Sequence, residues 1–434
     1  MKKICLISLG CAKNLVDSEI ILGMLNDIDV SITKNKYEAD VFLLNTCAFL
    51  EESRIETLQI IDELKQFNKP LVVLGCYSER YKDKLESQDN IYFVPISRYA
   101  ELHLLLSKIL KTNVAIFNPL RRKYATLPFS AYLRISEGCN NFCSFCAIPL
   151  IRGRFKSRPL EEVLEEAKLL NKLGKKEITI ISQDTTNYGR GLRNRPKLIT
   201  LLEELVKFES FESIRLLYLY PSDLNDELIN FIKNNPKMVP YFDLPFQHAS
   251  NRILRLMNRR GKKEDYIDLI KRIREAIPHA ILRATFIVGF PGETKEDVEE
   301  LATFIKEIKF NHIGVFTYSK EEGTRSYAME PHIKEEEKNK RKDYLMNLQK
   351  SISLNKNMAL IGQKMSGYVI YHEKNKGRYL MRTYFNAPDE IDGNIYLYSN
   401  NTFEIGDKLD IEITSAFIYD LIASPLVKEE NEVV

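Results

Sequence analysis

The chain has 434 residues, 63 of them basic and 60 acidic, for a formal net charge of +3, with 44% hydrophobic and 28% charged residues. At roughly 150 residues per domain this length makes about three domains, each with apolar content enough for its own core, so neither a disordered chain nor a disulfide-stapled miniature is in question. So small a charge gives no whole-molecule reason to expect a polyanionic partner, and no run approaches the roughly eighteen apolar residues of a membrane span.

The opening segment, Met1 to Gly10, has a basic start and an apolar run, but the run is too short for a signal peptide and no small-residue cleavage site follows. A cytoplasmic protein is expected. Lys3–Leu9, Asp40–Leu44 and Pro70–Leu74 are short apolar runs bounded by Gly, Asn or Pro, the pattern of buried parallel strands. Helical spacing lies between them, over Asp17–Asn26 and Ser53–Gln66. The sequence thus predicts a small parallel α/β domain over residues 1–120, continued by strands at Ile91–Ile96 and Val114–Phe117.

Alternation restarts with longer units. Candidate strands are Tyr132–Ser136, Glu177–Ser182, Ile214–Tyr220, Tyr241–Leu244, Ala280–Val288 and His312–Tyr318. Six such units are too few for a closed eight-fold barrel, so residues 125–357 are expected to form a partial (βα)6 barrel. Ile333–Ala359 is highly charged with spaced apolar residues, a long surface helix serving as linker. Beyond it, Gly367–Ile370, Tyr379–Tyr384, Asn394–Tyr398 and Lys408–Ser415 alternate with turn residues, which predicts a small OB-like β-barrel over 359–427. The fold class is α/β with this β-barrel appended.

Seven cysteines, an odd number in a long chain, read as ligands or catalytic groups rather than a disulfide framework. Cys139, Cys143 and Cys146 form C-x-x-x-C-x-x-C just after a strand. A three-thiolate loop can hold a cluster of four irons and four sulfides with one iron left open. Structural zinc is the alternative, but closed zinc sites have four ligands and no neighbouring Cys or His completes this one. Cys11, Cys47 and Cys76 are dispersed, yet each ends an apolar run, and strand ends of one polarity share an edge of a parallel sheet. They are a second candidate metal set, against the alternative of three buried structural thiols. Cys5, inside the first strand, is core packing.

Glu137 to Pro159, with the cysteine motif followed by Ile148-Pro149 and Arg152-Gly153, resembles the radical S-adenosylmethionine methylthiotransferases. The family's N-terminal domain carries three cysteines in contexts like those of Cys11, Cys47 and Cys76, and its last module is a β-barrel called TRAM. Ser8–Asn14, Asp243–Ala249, Gly289–Thr294 and Tyr318–Thr324 resemble the branch that methylthiolates the β-carbon of an aspartate in small-subunit ribosomal protein S-twelve. The transfer-RNA branch typically has Gly-Cys-Gln-Met-Asn at the first of these cysteines, and is the second reading of substrate. A non-catalytic iron–sulfur or zinc scaffold that presents the last domain to RNA is the third. Ala387–Gly393 is one residue longer than the branch's usual segment.

The resemblance implies two 4Fe-4S clusters, on the two cysteine triads, and S-adenosyl-L-methionine as methyl donor and radical source. It implies Phe145 as the aromatic that packs on adenine, with loop packing as the alternative. Strand ends facing the barrel mouth include Gln183, Asp184, Tyr220, Gln247 and Gly289, and barrel enzymes keep their sites there. Gln183, Asp184, Gln247, Gly289 and Glu293 are accordingly candidate cofactor contacts, with strand-end hydrogen bonding and a simple turn as alternatives. No catalytic residue beyond the cluster ligands is assigned. The expected partners are ribosomal protein S-twelve and an electron donor such as flavodoxin or ferredoxin, with no membrane; the protein is expected to be a monomer. Residues 361–425 hold six basic and nine acidic residues, a net of −3, from which Asp389, Glu390 and Asp392 are expected to dock the basic ribosomal protein.

Overall fold

The computed structural model describes residues 1–389 and 391–426. The first hundred residues form a parallel sheet of β1 (Lys2–Ser8), β2 (Val30–Ile32), β3 (Val41–Thr46), β4 (Leu71–Gly75) and β5 (Ile91–Pro95), in the order β2-β1-β3-β4-β5. Helices α1 (Ala12–Met24), α2 (Glu51–Lys65), α3 (Cys76–Arg80) and α4 (Leu102–Leu110) accompany it. Every residue of β3 and β4 is buried, and their side chains alternate between two cores. Leu43, Val72 and Leu74 enter one, while Phe42, Leu44, Leu71 and Val73 enter the other with Cys5. A sheet covered on both faces is what continuous apolar runs demand. Val114–Phe117 is not a strand: Val114 fills the α4 side of the core and Phe117 packs on Tyr99, so its apolar residues serve an irregular segment. Strand β2, three residues at the sheet edge, carries too short a pattern to be foreseen.

Next come β6 (Ser130–Arg134), β7 (Ser136–Glu137), β8 (Lys156–Ser157), β9 (Glu177–Ile181), β10 (Ser213–Leu216), β11 (Tyr241–Gln247), β12 (Ile281–Val288) and β13 (His312–Thr317). Six of these run parallel, in the sheets β6-β9-β10 and β11-β12-β13, while β7 and β8 form a short antiparallel pair. A bridge between Ile214 and Met238 and the bond from Leu219 N to Asp243 O (3.0 Å) bring β10 beside β11. The result is the expected partial barrel. Its third strand stops at Leu216 rather than Tyr220, because Tyr218 takes φ +61 and donates its N–H to the Asp243 carboxylate. Between the strands lie α5 (Ile148–Ile151), α6 (Leu160–Lys172), α7 (Leu198–Leu205), α8 (Asp226–Asn234), α9 (Asn251–Leu256), α10 (Lys263–Ala276) and α11 (Lys295–Ile308). The charged run forms α12 (Glu335–Met358), which is no free surface helix: Leu345, Gln349 and Ser353 are buried where it lies along β13, and Gln349 donates to Phe310 O.

The last segment is a closed barrel of β14 (Lys364–Glu373), β15 (Arg378–Arg382), β16 (Ile395–Tyr398), β18 (Leu421–Pro425) and β17 (Lys408–Ala416), paired in that order. Strand β18 lies beyond the strands foreseen. The 383–393 segment packs against the N-terminal ends of the core strands. Arg215, fully buried, donates to Thr383 O (2.8 Å), Arg382 pairs with Glu177, and Phe385 stacks edge-on against His312. Here the docking expectation fails for Asp392. The Asp392 side chain is fully buried, accepts from Tyr241 Oη (2.7 Å) and lies 3.5 Å from Arg283 and 3.8 Å from His312. Asp389 accepts from Tyr132 Oη. Both tie the barrel to the core: Asp392 is buried and its charge needs partners, whereas Asp389 is exposed and makes a single bond. Glu390, and Val427 at the expected domain end, lie outside the described residues.

Candidate active site

Three adjacent strands set the first triad. Cys11 follows β1 and caps α1, Cys47 follows β3, and Cys76 opens α3 directly after β4. Registers Ser8↔Asn45 and Thr46↔Gly75 hold these strand ends level. Gly10 and Gly75 both turn the chain with left-handed φ, +88 and +87. A β-carbon on Gly10 would lie 3.0 Å from that of Cys47, so the missing side chain lets two cysteine-bearing turns close together. Burial is the main cause that pushes the Cys76 thiol up to about 11; Arg152 pulls the other way, and Cys47 and Cys11 add to the rise.

The second triad lies on the loop between β7 and β8. Cys139 N donates to Gly153 O (3.2 Å), Ser144 N to Met257 O (2.9 Å), and Asn258 Nδ2 to Phe142 O (2.9 Å), so the loop is tied down on several sides. Burial also pushes the Cys139 thiol up to about 11. Thiols that hold their protons this firmly must lose them to bind metal, so loading is coupled to pH.

Each triad has an arginine on one sulfur. Arg152 Nη2 lies 3.4 Å from Cys76 Sγ and Arg259 Nη1 3.6 Å from Cys143 Sγ. Arginine is always cationic and only donates, so each of these sulfurs faces a charged N–H donor. Among the described residues no three His, Cys, Asp or Glu side chains close on a single ion. Soft thiolates, three to a site, with charged N–H donors on sulfur, fit iron–sulfur clusters.

The triads are neighbours. Cys76 packs in one apolar cluster with Ala147, the residue after Cys146. Asp17 on α1 accepts from Arg134 (2.6 Å) and Arg152 (2.8 Å), and Arg152 also donates to Asn14 Oδ1 (2.6 Å). Glu137, two residues before Cys139, lies 3.1 Å from Arg134 and 3.6 Å from Arg152 and accepts from Gln183 (2.6 Å). Beside Cys11, the buried Lys13 ammonium lies 3.2 Å from the centroid of the Tyr218 ring. None of Lys13, Asn14, Asp17, Arg134, Arg259 or Tyr218 was singled out from the sequence. The one signal was the polar start of α1, where Lys13, Asn14, Asp17, Ser18 and Glu19 precede an apolar end.

The candidate cofactor contacts divide. Gln183 and Gln247 each keep a buried side-chain oxygen with no partner among the described residues, an acceptor open to a polar ligand, and Gln247 holds φ +73. Phe145 is half-buried against Phe290 and Tyr318. Tyr220 lies under the Arg259 guanidinium, 4.1 Å from ring to cation. Asp184 and Glu293 are committed locally. Asp184 accepts from Asn141, Thr186 and Asn187, while Glu293 accepts from Gly289 N (2.8 Å) and Arg341 (2.8 Å), fixing the turn that starts at Gly289. Glu293 Oε2 nonetheless stays buried with no hydrogen-bond partner among the described residues, 3.4 Å from His248 Nε2.

Known proteins resemble the chain along its whole length. Residues 133–305 match the radical SAM superfamily, 3–94 an uncharacterized protein family, UPF0004, and 361–426 the TRAM domain. The ribosomal protein uS12 methylthiotransferase RimO of Aquifex aeolicus is 44% identical, over 96% of each chain. That of Clostridioides difficile is 40% identical over 98% of this chain and 99% of its own. Among solved structures, the radical S-adenosylmethionine methyltransferase TsrM of Kitasatospora setae shares the fold, with TM-score 0.53 and 15% identity over 73% of each chain.

Proposed function

The chain belongs to the ribosomal protein uS12 methylthiotransferase family, and on that footing we propose that it attaches a methylthio group to the β-carbon of an aspartate in that ribosomal protein. It is a radical S-adenosylmethionine transferase, and S-adenosylmethionine and a four-iron cluster come with that class. Cys139, Cys143 and Cys146 would hold the cluster that binds the cofactor, and Cys11, Cys47 and Cys76 would hold a second one, which would supply the sulfur. When bound, these groups supply the electron that cleaves S-adenosylmethionine, the hydrogen abstraction at carbon and the sulfur.

The chain's own residues bind and orient. Phe145 offers its face to adenine, while Gln183 Oε1 and Gln247 Oε1 accept N–H or O–H groups of cofactor or substrate. Arg152 and Arg259 each direct an N–H at one sulfur of a triad, Cys76 and Cys143. The Asp17–Arg134–Arg152–Glu137 network holds α1, and with it Cys11, at a fixed distance from the barrel mouth; positioning to within an ångström is worth orders of magnitude in rate. The Lys13 ammonium packs on the Tyr218 ring beside Cys11, which itself stays exposed. The protein acts as a cytoplasmic monomer, with a flavodoxin or ferredoxin as electron source.

The observation that carries the reading is the meeting of two thiol triads across one buried arginine, Arg152, in a chain whose relatives of this identity act on uS12. Mass spectrometry of ribosomal proteins and transfer RNA from a deletion strain tests it. The methylthio mass should vanish from uS12 alone; its loss from transfer RNA, with uS12 unchanged, would refute the assignment.

A further inference from the structure

Two loops beside the second triad carry eight basic residues and no acidic one, in a protein of net charge +3. Ile148–Pro159 holds Arg152, Arg154, Lys156 and Arg158, and Thr185–Lys197 holds Arg190, Arg193, Arg195 and Lys197. Arg152 and Arg158 turn inward, to Asp17 and Glu166. The other six are exposed. Lys197 meets Glu227 at 3.1 Å; among the described residues the remaining five have no carboxylate partner.

These loops form one surface and it is pinned to the cluster loop. Ser157 Oγ donates to Arg190 O (3.0 Å) and accepts from Gly189 N (3.0 Å), joining the two. Cys139 N donates to Gly153 O and Phe155 N to Asn140 Oδ1 (3.1 Å), joining them to the cysteines. A surface that collects unpaired positive charge over the backbone of a redox site attracts acidic proteins and speeds their encounter. Phosphates would be attracted too, but single-stranded RNA is also gripped by stacking, and Tyr188 is buried and Phe155 half-buried here.

We propose that the Arg154/Lys156 and Arg190/Arg193/Arg195 surface is the docking site of an acidic one-electron carrier protein, which gives up one electron, becoming oxidised by one equivalent, to the cluster on Cys139, Cys143 and Cys146. The proposal rests on the cluster assignment above, and its test separates the two. Wild type and the triple variant R190E/R193E/R195E, both reconstituted with iron and sulfide, are assayed for 5′-deoxyadenosine with dithionite and with reduced flavodoxin. Dithionite needs no docking surface, so its rates should match, which also shows that the variant is folded. Flavodoxin-driven kcat/KM should fall about tenfold or more at low salt, and the gap should narrow as salt rises. Equal flavodoxin-driven rates would overturn the docking site alone. Lost binding of a ribosomal RNA fragment with flavodoxin kinetics intact would likewise overturn it, and make the patch an RNA surface. No cleavage by wild type with dithionite would overturn the cluster assignment and the docking site together.

Discussion

Replacing Asp17 by Asn probes the joint between the N-terminal sheet and the barrel. Asp17 is 2% exposed, and burial by itself would raise its pKa; Arg134 and Arg152 outweigh that and hold the carboxyl below its usual range. Asn keeps the shape, removes the charge and turns an NH2 toward a guanidinium that can only donate. Removing one partner of a buried ion pair costs about 3–5 kcal/mol. Glu137 remains 3.1 Å from Arg134 and 3.6 Å from Arg152, which favours the lower figure. A three-domain chain has no single unfolding free energy, so local opening is the proper readout. About 3 kcal/mol corresponds to roughly a hundredfold faster amide exchange in α1, measured by mass spectrometry. A depressed carboxyl pKa stabilises fully above its unfolded value of about 3.9, and the gain is lost as pH falls through the folded value. The difference between the proteins should therefore be flat from neutral pH to about pH 5 and close below about pH 4. A change under about tenfold at pH 7, or a gap that widens in acid, would refute the reasoning.

Cys143→Ala should abolish 5′-deoxyadenosine and methylthio product together, whereas Cys47→Ala should lose about half the iron and all product while cleavage persists; loss of cleavage in a well-folded Cys47→Ala protein would contradict the division of labour. Burial first, then Arg274 and Lys309, lower Lys356 from 10.5 to about 8. While protonated it opposes folding, so stability should rise between pH 8 and 10.5, and Lys356→Met should stabilise by about 1 kcal/mol at pH 7, the full shift being discounted for a part-exposed side chain. Thermal melts at pH 7 and above pH 10 check this, the gain disappearing at the higher pH. Asp392→Asn should loosen the C-terminal barrel, read as faster proteolytic release of residues after 358; unchanged release kinetics would count against its anchoring role.

The candidate cluster ligands were legible because they sit in local sequence contexts. C-x-x-x-C-x-x-C is one loop, and Cys11, Cys47 and Cys76 each end an apolar run, so parallel topology alone predicts that they share an edge. The supporting charges were not legible, because they are pairings across long separations. Asp17 finds Arg134 and Arg152 more than a hundred residues away, and Arg259 reaches Cys143 from another strand–helix unit. Charge counting misled at Asp392, since net charge does not say which carboxylates face water. Val114–Phe117 misled because an apolar tetrapeptide suits a strand or a core-filling segment equally.

The pairing of Arg215 with Thr383 O makes the enzyme's completion depend on the end of translation. A chain released before that residue leaves a guanidinium at the base of the core without its acceptor, and Tyr132 and Tyr241 without their carboxylates. A chain truncated there should therefore be less stable at the base of the core than the full-length one.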